Sequence, residues 1–529
     1  MDNNAIADRL DAFASLLDLA GASYYTARAY RRAAELIRST PAPIADLVVA
    51  GRVRELHGIG AGIEARLREL VETGEIAELV ELERTTAPEL VGFGRLIGIG
   101  PQRMADIARV LDVRSLPELR EAADRLDQVP GVGPKTAARL RAGLARADRR
   151  RPPRGLLLNR AWALAGAIAE ALGGEVAGDP RRWKDSSEQL AVVTSRPDAE
   201  EAFAALPQIV AVLEPRLGVT VEGVPVELAV ASPERYGTEL FRATGPPEYV
   251  AGLEPLPDAP DEKSLFRTLG LPFRPPELRD FPEAPVPGQL LELGDVRGDL
   301  HCHTTWSDGK ASVLEMGLAA RELGYEYLAI CDHTRAVRVV PGLDADDLRR
   351  QAEEIAAANE ELAPFRLLRG AECDVLPDGT LDLPDDVLDE LDWVQLSLHA
   401  GQRAPREALT ARVVAGMRHP AVRCLSHPTG RLINHRPPNA LDLERVFEVA
   451  LETGVALEVN GLPDRLDLRD EHVRRAVAAG VPIVCSTDAH SVRGLGNMRL
   501  SVATARRGGA PAGAVVNTRP LAEVLARGR

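Results

Sequence analysis

The chain has 529 residues, 45% of them hydrophobic and 27% charged, with a formal net charge of −15. That length suggests about three or four compact units, and the composition is ordinary for globular domains. It contains no apolar run of about 18 residues that could cross a membrane. The first residues, MDNNAIADRLDAF, are acidic and amphipathic, which reads as no signal peptide and a cytoplasmic protein. The acidic balance argues mildly against nucleic acid as a partner, although total charge says nothing of its distribution. Lys135, Lys184, Lys263 and Lys310 are the only lysines, and arginine carries the remaining positive charge.

Residues 1–146 read as nearly continuous helix with glycine-rich breaks. Three breaks resemble one another: LHGIGAGIEARLREL, LIGIGPQRMADIARVL and VPGVGPKTAARLRAGL. Each has an apolar residue, a Gly-x-Gly turn and then an amphipathic helix. The glycines at Gly58 and Gly60, Gly98 and Gly100, and Gly131 and Gly133 permit turns that bring backbone N–H groups close to an anion at a helix N-terminus. The turns resemble helix-hairpin-helix elements, which implies contact with DNA phosphates, with Lys135 beside the third turn as a further contact. A basic run, RRRPPR (149–154), closes this region as a linker.

Residues 155–245 change character. An Ala-rich helix leads to the strand-like runs QLAVVTS and VPVELAVA, which reads as a small α/β domain. Residues 246–294 are rich in proline and read as a tether.

From Asp295 onward, short apolar strands alternate with amphipathic helices: VRGDLHCH, YLAICDH, LLRGAECDV, WVQLSLH, VRCLSHP, VALEVNG and PIVCSTDAH. Seven βα units predict a barrel over 295–525, with chemistry at the C-terminal ends of the strands. Every one of those ends carries a polar or metal-competent side chain. His301 and His303 lie two apart on a strand and so face one side, as do Asp488 and His490. With Asp308, His333, Glu372, His399 and His427 they make more ligands than one ion can use, so two or three divalent transition metals, Mn or Zn, are expected. Clustered metals suit phosphate-ester hydrolysis, because they acidify a bridging water and neutralise phosphate oxygens. His57, His419, His435 and His472 have no such placement. Cys302, Cys331, Cys373, Cys424 and Cys485 form no CxxC pair and read as buried fillers in a reducing compartment.

The motifs GDLHCHTTWSDG, ICDHT, GAECDVLPDGTLDL, LSLHA, SHPTGRL, LEVNGLPDRLDL and STDAHS resemble a PHP domain along its whole length. That resemblance implies a distorted (β/α)7 barrel with a trinuclear site. It places His301, His303, Glu372 and Asp488 on one metal, Glu372, His399 and His427 on a second, and Asp308, His333 and His490 on a third. The main catalytic weight then falls on His301, His303, Glu372 and Asp488, with Arg431 and Asn460 holding substrate.

The whole chain resembles the bacterial family X DNA polymerases, through Ala177-Gly178, Arg181-Arg182, Tyr236-Gly237, Thr244-Gly245 and LGLPFRPPELRDF. On that resemblance 155–245 is a polymerase palm and 246–294 a remnant thumb or linker. The departures are specific. Asp179 stands where the family has Ser, and Gln189, Ala191 and Glu227 stand where it has three aspartates that hold Mg²⁺. The lysine of the lyase activity is Arg66 here, which stays protonated and cannot form a Schiff base. The expected activity is therefore metal-dependent 3′–5′ exonuclease or 3′-end processing of DNA from the barrel, with a silent palm. A phosphatase acting on a small phosphomonoester and a weak polymerase are the alternatives.

Overall fold

A computed structural model describes residues 3–20, 24–40, 43–56, 58–85, 88–145, 155–220, 222–338 and 340–526. His57 and the basic run 149–154 lie outside the described residues. The front of the chain is helical: α1 (Asn3–Leu19), α2 (Tyr24–Ser39), α3 (Ile44–Val49), α4 (Ala61–Thr73), α5 (Ala77–Thr85), α6 (Pro88–Leu96), α7 (Pro101–Leu111), α8 (Leu116–Glu121) and α9 (Pro134–Ala145). Apolar faces at helical spacing, including Leu10, Phe13, Ile37, Leu67, Met104 and Leu140, close into one core. That core also takes in Ala211 and Val219 of the following sheet. Helix α6 lies so close to the sheet that a Cβ on Gly92 would stand 2.6 Å from Val210 Cγ2. The helical region is thus docked on its neighbour rather than strung beside it.

The middle of the chain holds β1 (Leu156–Leu157), α10 (Leu158–Ala171), β2 (Glu175–Ala177), β3 (Ser186–Ser187), β4 (Leu190–Thr194), β5 (Ile209–Glu214), β6 (Leu217–Thr220) and β7 (Pro225–Val230). Strands β1 and β3 pair alone, and the others form a mixed sheet in the order β2-β4-β7-β6-β5. The Ala-rich face of α10 packs Leu164, Ala165 and Ile168 on Leu190, Val192 and Val226. The tether expected over 246–294 is corrected in part. Short helices at Pro247–Ala251 and Glu262–Thr268 fold around Phe241, Val250, Leu265 and Phe266. The aromatic residues interspersed among the prolines give this stretch a core of its own.

The C-terminal barrel consists of β8 (Gly298–Cys302), β9 (Tyr327–Ile330), β10 (Arg366–Asp374), β11 (Trp393–Ser397), β12 (Val422–Leu425), β13 (Ala456–Asn460) and β14 (Ile483–Ser486). All neighbours are parallel and in chain order. The seam between β14 and β8 has no regular ladder. At the top it is closed by a bridge between Cys302 and Ala489, with His303 N donating to Ala489 O at 2.8 Å. At the bottom a fully buried side chain, Asn517, closes it. Its Nδ2 donates to Gly298 O (2.7 Å) and Cys485 O (2.6 Å), and its Oδ1 accepts from Cys485 N (3.1 Å). The five cysteines are free and buried, as fillers would be.

Candidate metal centre and nucleic-acid interface

Strand periodicity delivers the barrel's polar groups to one end. His301 and His303 rise from β8, Glu372 and Asp374 sit at the end of β10, and His399, His427, Asp488 and His490 follow β11, β12 and β14. Asp308 and His333 come from the loops after β8 and β9. Asp488 (φ 51°) and His427 (φ 23°) hold left-handed backbone that non-glycine residues rarely adopt, a strain typical of functional sites.

The nine predicted ligands, all of these except Asp374, are brought together. His303 Nε2 lies 3.1 Å from Asp488 Oδ1 and 3.2 Å from His301 Nε2. Glu372 stands at the centre. Its Oε1 is 2.9 Å from His427 Nε2 and 3.5 Å from His399 Nε2, and its Oε2 is 2.9 Å from His333 Nδ1 and 3.5 Å from His301 Nε2. Asp308 Oδ2 is 3.3 Å from His490 Nε2. Three groups have ligand atoms all within 4.8 Å of one another: His303, Asp308, His333 and His490; His301, His303 and Asp488; and His333, Glu372 and His399. His303 and His333 each bridge two groups, so the clusters overlap more than the resemblance implied.

The donor set fits divalent cations. His303 Nδ1, His333 Nδ1 and Glu372 Oε2 are buried and make no hydrogen bond, although the last two stand 2.9 Å apart. Buried polar atoms are normally satisfied, so lone pairs aimed at one another mark a place for a cation. Burial opposes the charged form of His301, yet Glu458, Asp488 and Glu372 hold its pKa well above the usual histidine range. Asp308, against its burial, is brought down to about 2 by the hydrogen bond and charge of His490. His490, also against its burial, is pushed up to about 9 by Asp308 and Asp488. Burial and the neighbouring His490 and His333 drive His303 down to about 4. Metal binding to such a set displaces protons.

A layer of carboxylates behind these groups fixes their orientation, and the motifs alone do not single it out. Fully buried Glu458 takes His301 Nδ1 at 2.6 Å, which turns Nε2 into the site, and it accepts from His427 N at 2.6 Å. Asp374 accepts from His399 N (2.9 Å) and meets its Nδ1 at 2.8 Å. Asp332 accepts from Thr304 N (2.8 Å) and Gln351 Nε2 (2.7 Å), shaping the loop that carries Asp308. Asp299 accepts from Thr487 N and His301 N, both at 3.2 Å. A signal existed: Asp299, Asp374 and Glu458 each lie two residues from His301, Glu372 and Asn460, on the same face of their strands.

The two expected substrate contacts make internal hydrogen bonds. Asn460 is fully buried, and its Nδ2 donates to Asp488 Oδ2 at 2.9 Å, behind the cluster. Arg431 is held by the middle region, with Nη1 donating to Asp185 Oδ2 (2.7 Å) and Nη2 to Leu466 O (2.6 Å).

In the middle sheet, Ala191 and Glu227 are register partners across β4 and β7. Ala191 packs among Ala177, Val193, Ala231 and Leu240. The paired arginines are engaged internally: Arg181 with Glu262 (2.8 Å), and Arg182 with Asp280 (3.1 Å), Asp179 (2.5 Å) and Thr244 O.

In the helical region, Gly58 (φ 108°), Gly98 (φ 73°) and Gly131 (φ 80°) adopt left-handed backbone. Gly60 and Gly100 cap α4 and α7, and Gly133 precedes α9. Ile59, Ile99 and Val132 between them are buried and anchor each turn, whereas Gly60, Gly100, Gly133 and Lys135 are exposed. A Cβ on any of those three capping glycines would meet nothing within 4 Å. The turns therefore present open helix N-termini to solvent.

Comparison with known proteins follows the same divisions. A helix-hairpin-helix domain model matches residues 1–76, a SAM-like helix-hairpin-helix tandem matches 95–146, and a PHP domain matches 299–460. Over 98% of its length the chain is 31% identical to the DNA polymerase/3'-5' exonuclease PolX of Bacillus subtilis, covering 97% of that protein. Its C-terminal part is similar to proteins named as probable phosphatases. Identity is 31% with that of Acetivibrio thermocellus, over 36% of this chain and 78% of the relative. It is 26% with that of Caldanaerobacter subterraneus, over 36% of this chain and 75% of the relative.

Proposed function

The chain belongs to the PolX family of DNA polymerase/3'-5' exonucleases, and from that membership we propose that it is a metal-dependent phosphodiesterase trimming DNA from the 3′ end, with a palm that no longer transfers nucleotides. The observation that carries this reading is the convergence of eight candidate ligand side chains in overlapping groups, with His427 against Glu372 as a ninth, around buried atoms that make no hydrogen bond. His301, His303, Glu372 and Asp488 are the principal ligands, Glu372 also serves His399 and His427, and Asp308, His333 and His490 complete the set, for two to three ions of Mn or Zn. Ions so clustered supply an acidified water and neutralise phosphate charge. The chain's own residues do the rest. Glu458 and Asp374 fix the tautomers and aim of His301 and His399, and Asn460 holds Asp488 in place. The exposed turns at Gly60, Gly100 and Gly133 offer backbone N–H groups to DNA phosphates, with Lys135 adding charge. Such contacts carry no sequence information, so cleavage is sequence-independent.

The palm lacks the means for nucleotidyl transfer. Ala191 fills a metal position with an apolar cluster, and Arg181 and Arg182 are consumed by internal carboxylates. Incubation of a 5′-labelled 3′-recessed duplex with Mn²⁺ and dNTPs tests both halves of the reading. Shortening without extension is expected. Extension products would overturn the silent palm. An intact duplex together with rapid hydrolysis of p-nitrophenyl phosphate would replace the nuclease by a phosphatase.

A further inference from the structure

Arg431 donates to Asp185, and it is not the only cation at the functional end of the barrel that suits a substrate's negative backbone. Three other arginines stand at that mouth, each on a loop after a successive barrel strand. Arg403 follows β11 four residues past His399, Arg436 lies on the loop that begins at His427, and Arg465 follows β13 five residues past Asn460. Arg465 Nε stands 3.7 Å from Asp488 Oδ2, directly over the cluster. Arg436 Nε donates to Gly430 O at 2.9 Å, and Gly430 is packed so tightly on Gln402 that a Cβ there would lie 2.7 Å from Oε1. The loops of Arg403 and Arg436 are therefore in contact.

The charges are poorly compensated. Arg436 is pushed below the usual guanidinium range, first by partial burial and then by Arg465 and Arg403, with Asp467 opposing weakly. Asp467 is already committed to Thr429, whose N and Oγ1 it accepts at 3.0 and 2.9 Å. Among the described residues, Arg465 pairs only with Asp488, a carboxylate of the metal cluster. A guanidinium group that feels the charge of two others beside a candidate metal centre gains from an anion, and guanidinium geometry suits phosphate.

Resting on the phosphodiesterase reading above, we propose that Arg403, Arg436 and Arg465 form a rim that seats the backbone phosphate next to the scissile one, so that the site selects a polynucleotide over a phosphomonoester. The metal ligands do not supply this selection, since they act on the scissile phosphate, and the glycine turns of the helical region add DNA affinity independently of it.

The test uses the full chain loaded with Mn²⁺ and compares an oligothymidylate with bis(p-nitrophenyl) phosphate, which carries a single phosphate. Arg403 is exposed, and the Arg465 side chain donates no hydrogen bond among the described residues, so Arg403→Ala, Arg403→Glu and Arg465→Gln leave the fold intact. Each variant should raise KM for the oligonucleotide about tenfold, with kcat changed less than about threefold. Each should also flatten the salt dependence of log(kcat/KM) by about 0.7 for every phosphate no longer neutralised. The ratio of oligonucleotide to bis(p-nitrophenyl) phosphate efficiency should fall with it. An unchanged KM and salt slope in every variant would overturn the rim while leaving the nuclease reading intact. An equal loss on bis(p-nitrophenyl) phosphate would also overturn it, by placing the arginines on the scissile phosphate. Failure of wild type to degrade the oligonucleotide would instead sink the nuclease reading itself.

Discussion

The palm and the barrel both end in clusters of charged side chains, and they treat those charges in opposite ways. In the palm and the stretch that follows it, Arg181, Arg182 and Arg279 are matched to Glu262, Asp179 and Asp280, with Arg279 wholly buried against Glu262 at 2.6 Å. Ala191, where the family resemblance expects a metal ligand, packs among Ala177, Val193 and Leu240 and lines a small cavity with Glu227. In the barrel, Glu372 Oε2, His303 Nδ1 and His333 Nδ1 are buried without hydrogen bonds, and a separate layer of carboxylates aims the ligands at one another. A buried polar atom without a partner costs roughly 1–3 kcal/mol, so a fold keeps several together only where a ligand satisfies them. Residues 155–245 also hold buried polar atoms without a hydrogen bond, Glu227 Oε1 among them, but among the described residues the barrel alone gathers such atoms into groups that could hold a metal, so we read the barrel as the working site and the palm as a strut, joined to the barrel by Arg431–Asp185 and by Arg507, which donates to Arg182 O.

The contrast can be broken most forcefully at the ligands. Asp488→Ala or His303→Ala should lower kcat on DNA by a factor of about a thousand or more, measured on end-labelled single strands, because each removes a donor that completes the cluster. Retention of a tenth of wild-type activity would show that the cluster is not the active site. On the palm side, restoring Asp at positions 189, 191 and 227 together should leave dNTP incorporation undetectable in primer extension, because Arg181 and Arg182 stay committed to internal carboxylates. Glu458→Gln should cost about 10–100-fold in metal affinity or activity, since it loosens the aim of His301, and titration of metal into chelated protein reads it. Replacing Gly60, Gly100 and Gly133 together by Asp should raise KM for DNA roughly tenfold, by setting anions at three helix N-termini where phosphate would dock. Thermal stability should hold, since those positions are open and Asp is a good N-cap. The smallest effect on activity is expected for Asn517→Ala, which should destabilise the fold by about 3 kcal/mol in urea denaturation, by orphaning backbone groups at the β8–β14 seam.

Much of this was legible in the sequence where the signal was local. Seven strands each ending in a polar residue specify a barrel and its functional end, because strand direction and period fix where His301, His303, Asp488 and His490 point. The glycine turns were legible for the same reason, since left-handed backbone at Gly58, Gly98 and Gly131 needs glycine. What escaped depends on partners far apart in the chain. The hydrogen bond from Arg431 to Asp185, 246 residues away, has no local pattern that announces it. Gly92 has no motif around it and is required only because Val210 comes within reach. Residues 246–294 read as a tether because proline masks the aromatic core around Phe241 and Phe266. The same docking makes excision of the helical region a poor test of DNA binding, since it would strip cover from Ala211 and Val219.

The claim that the barrel, and not the palm, carries the chemistry is tested most directly by one gel. Wild type, Asp488→Ala and a Glu227→Ala variant are each given a 5′-labelled 3′-recessed duplex with Mn²⁺ and dNTPs. Wild type and Glu227→Ala should produce the same ladder of shortened strands, Asp488→Ala should leave the strand intact, and no lane should show extension. Extension by wild type that disappears in Glu227→Ala would contradict the account, as would shortening that survives in Asp488→Ala.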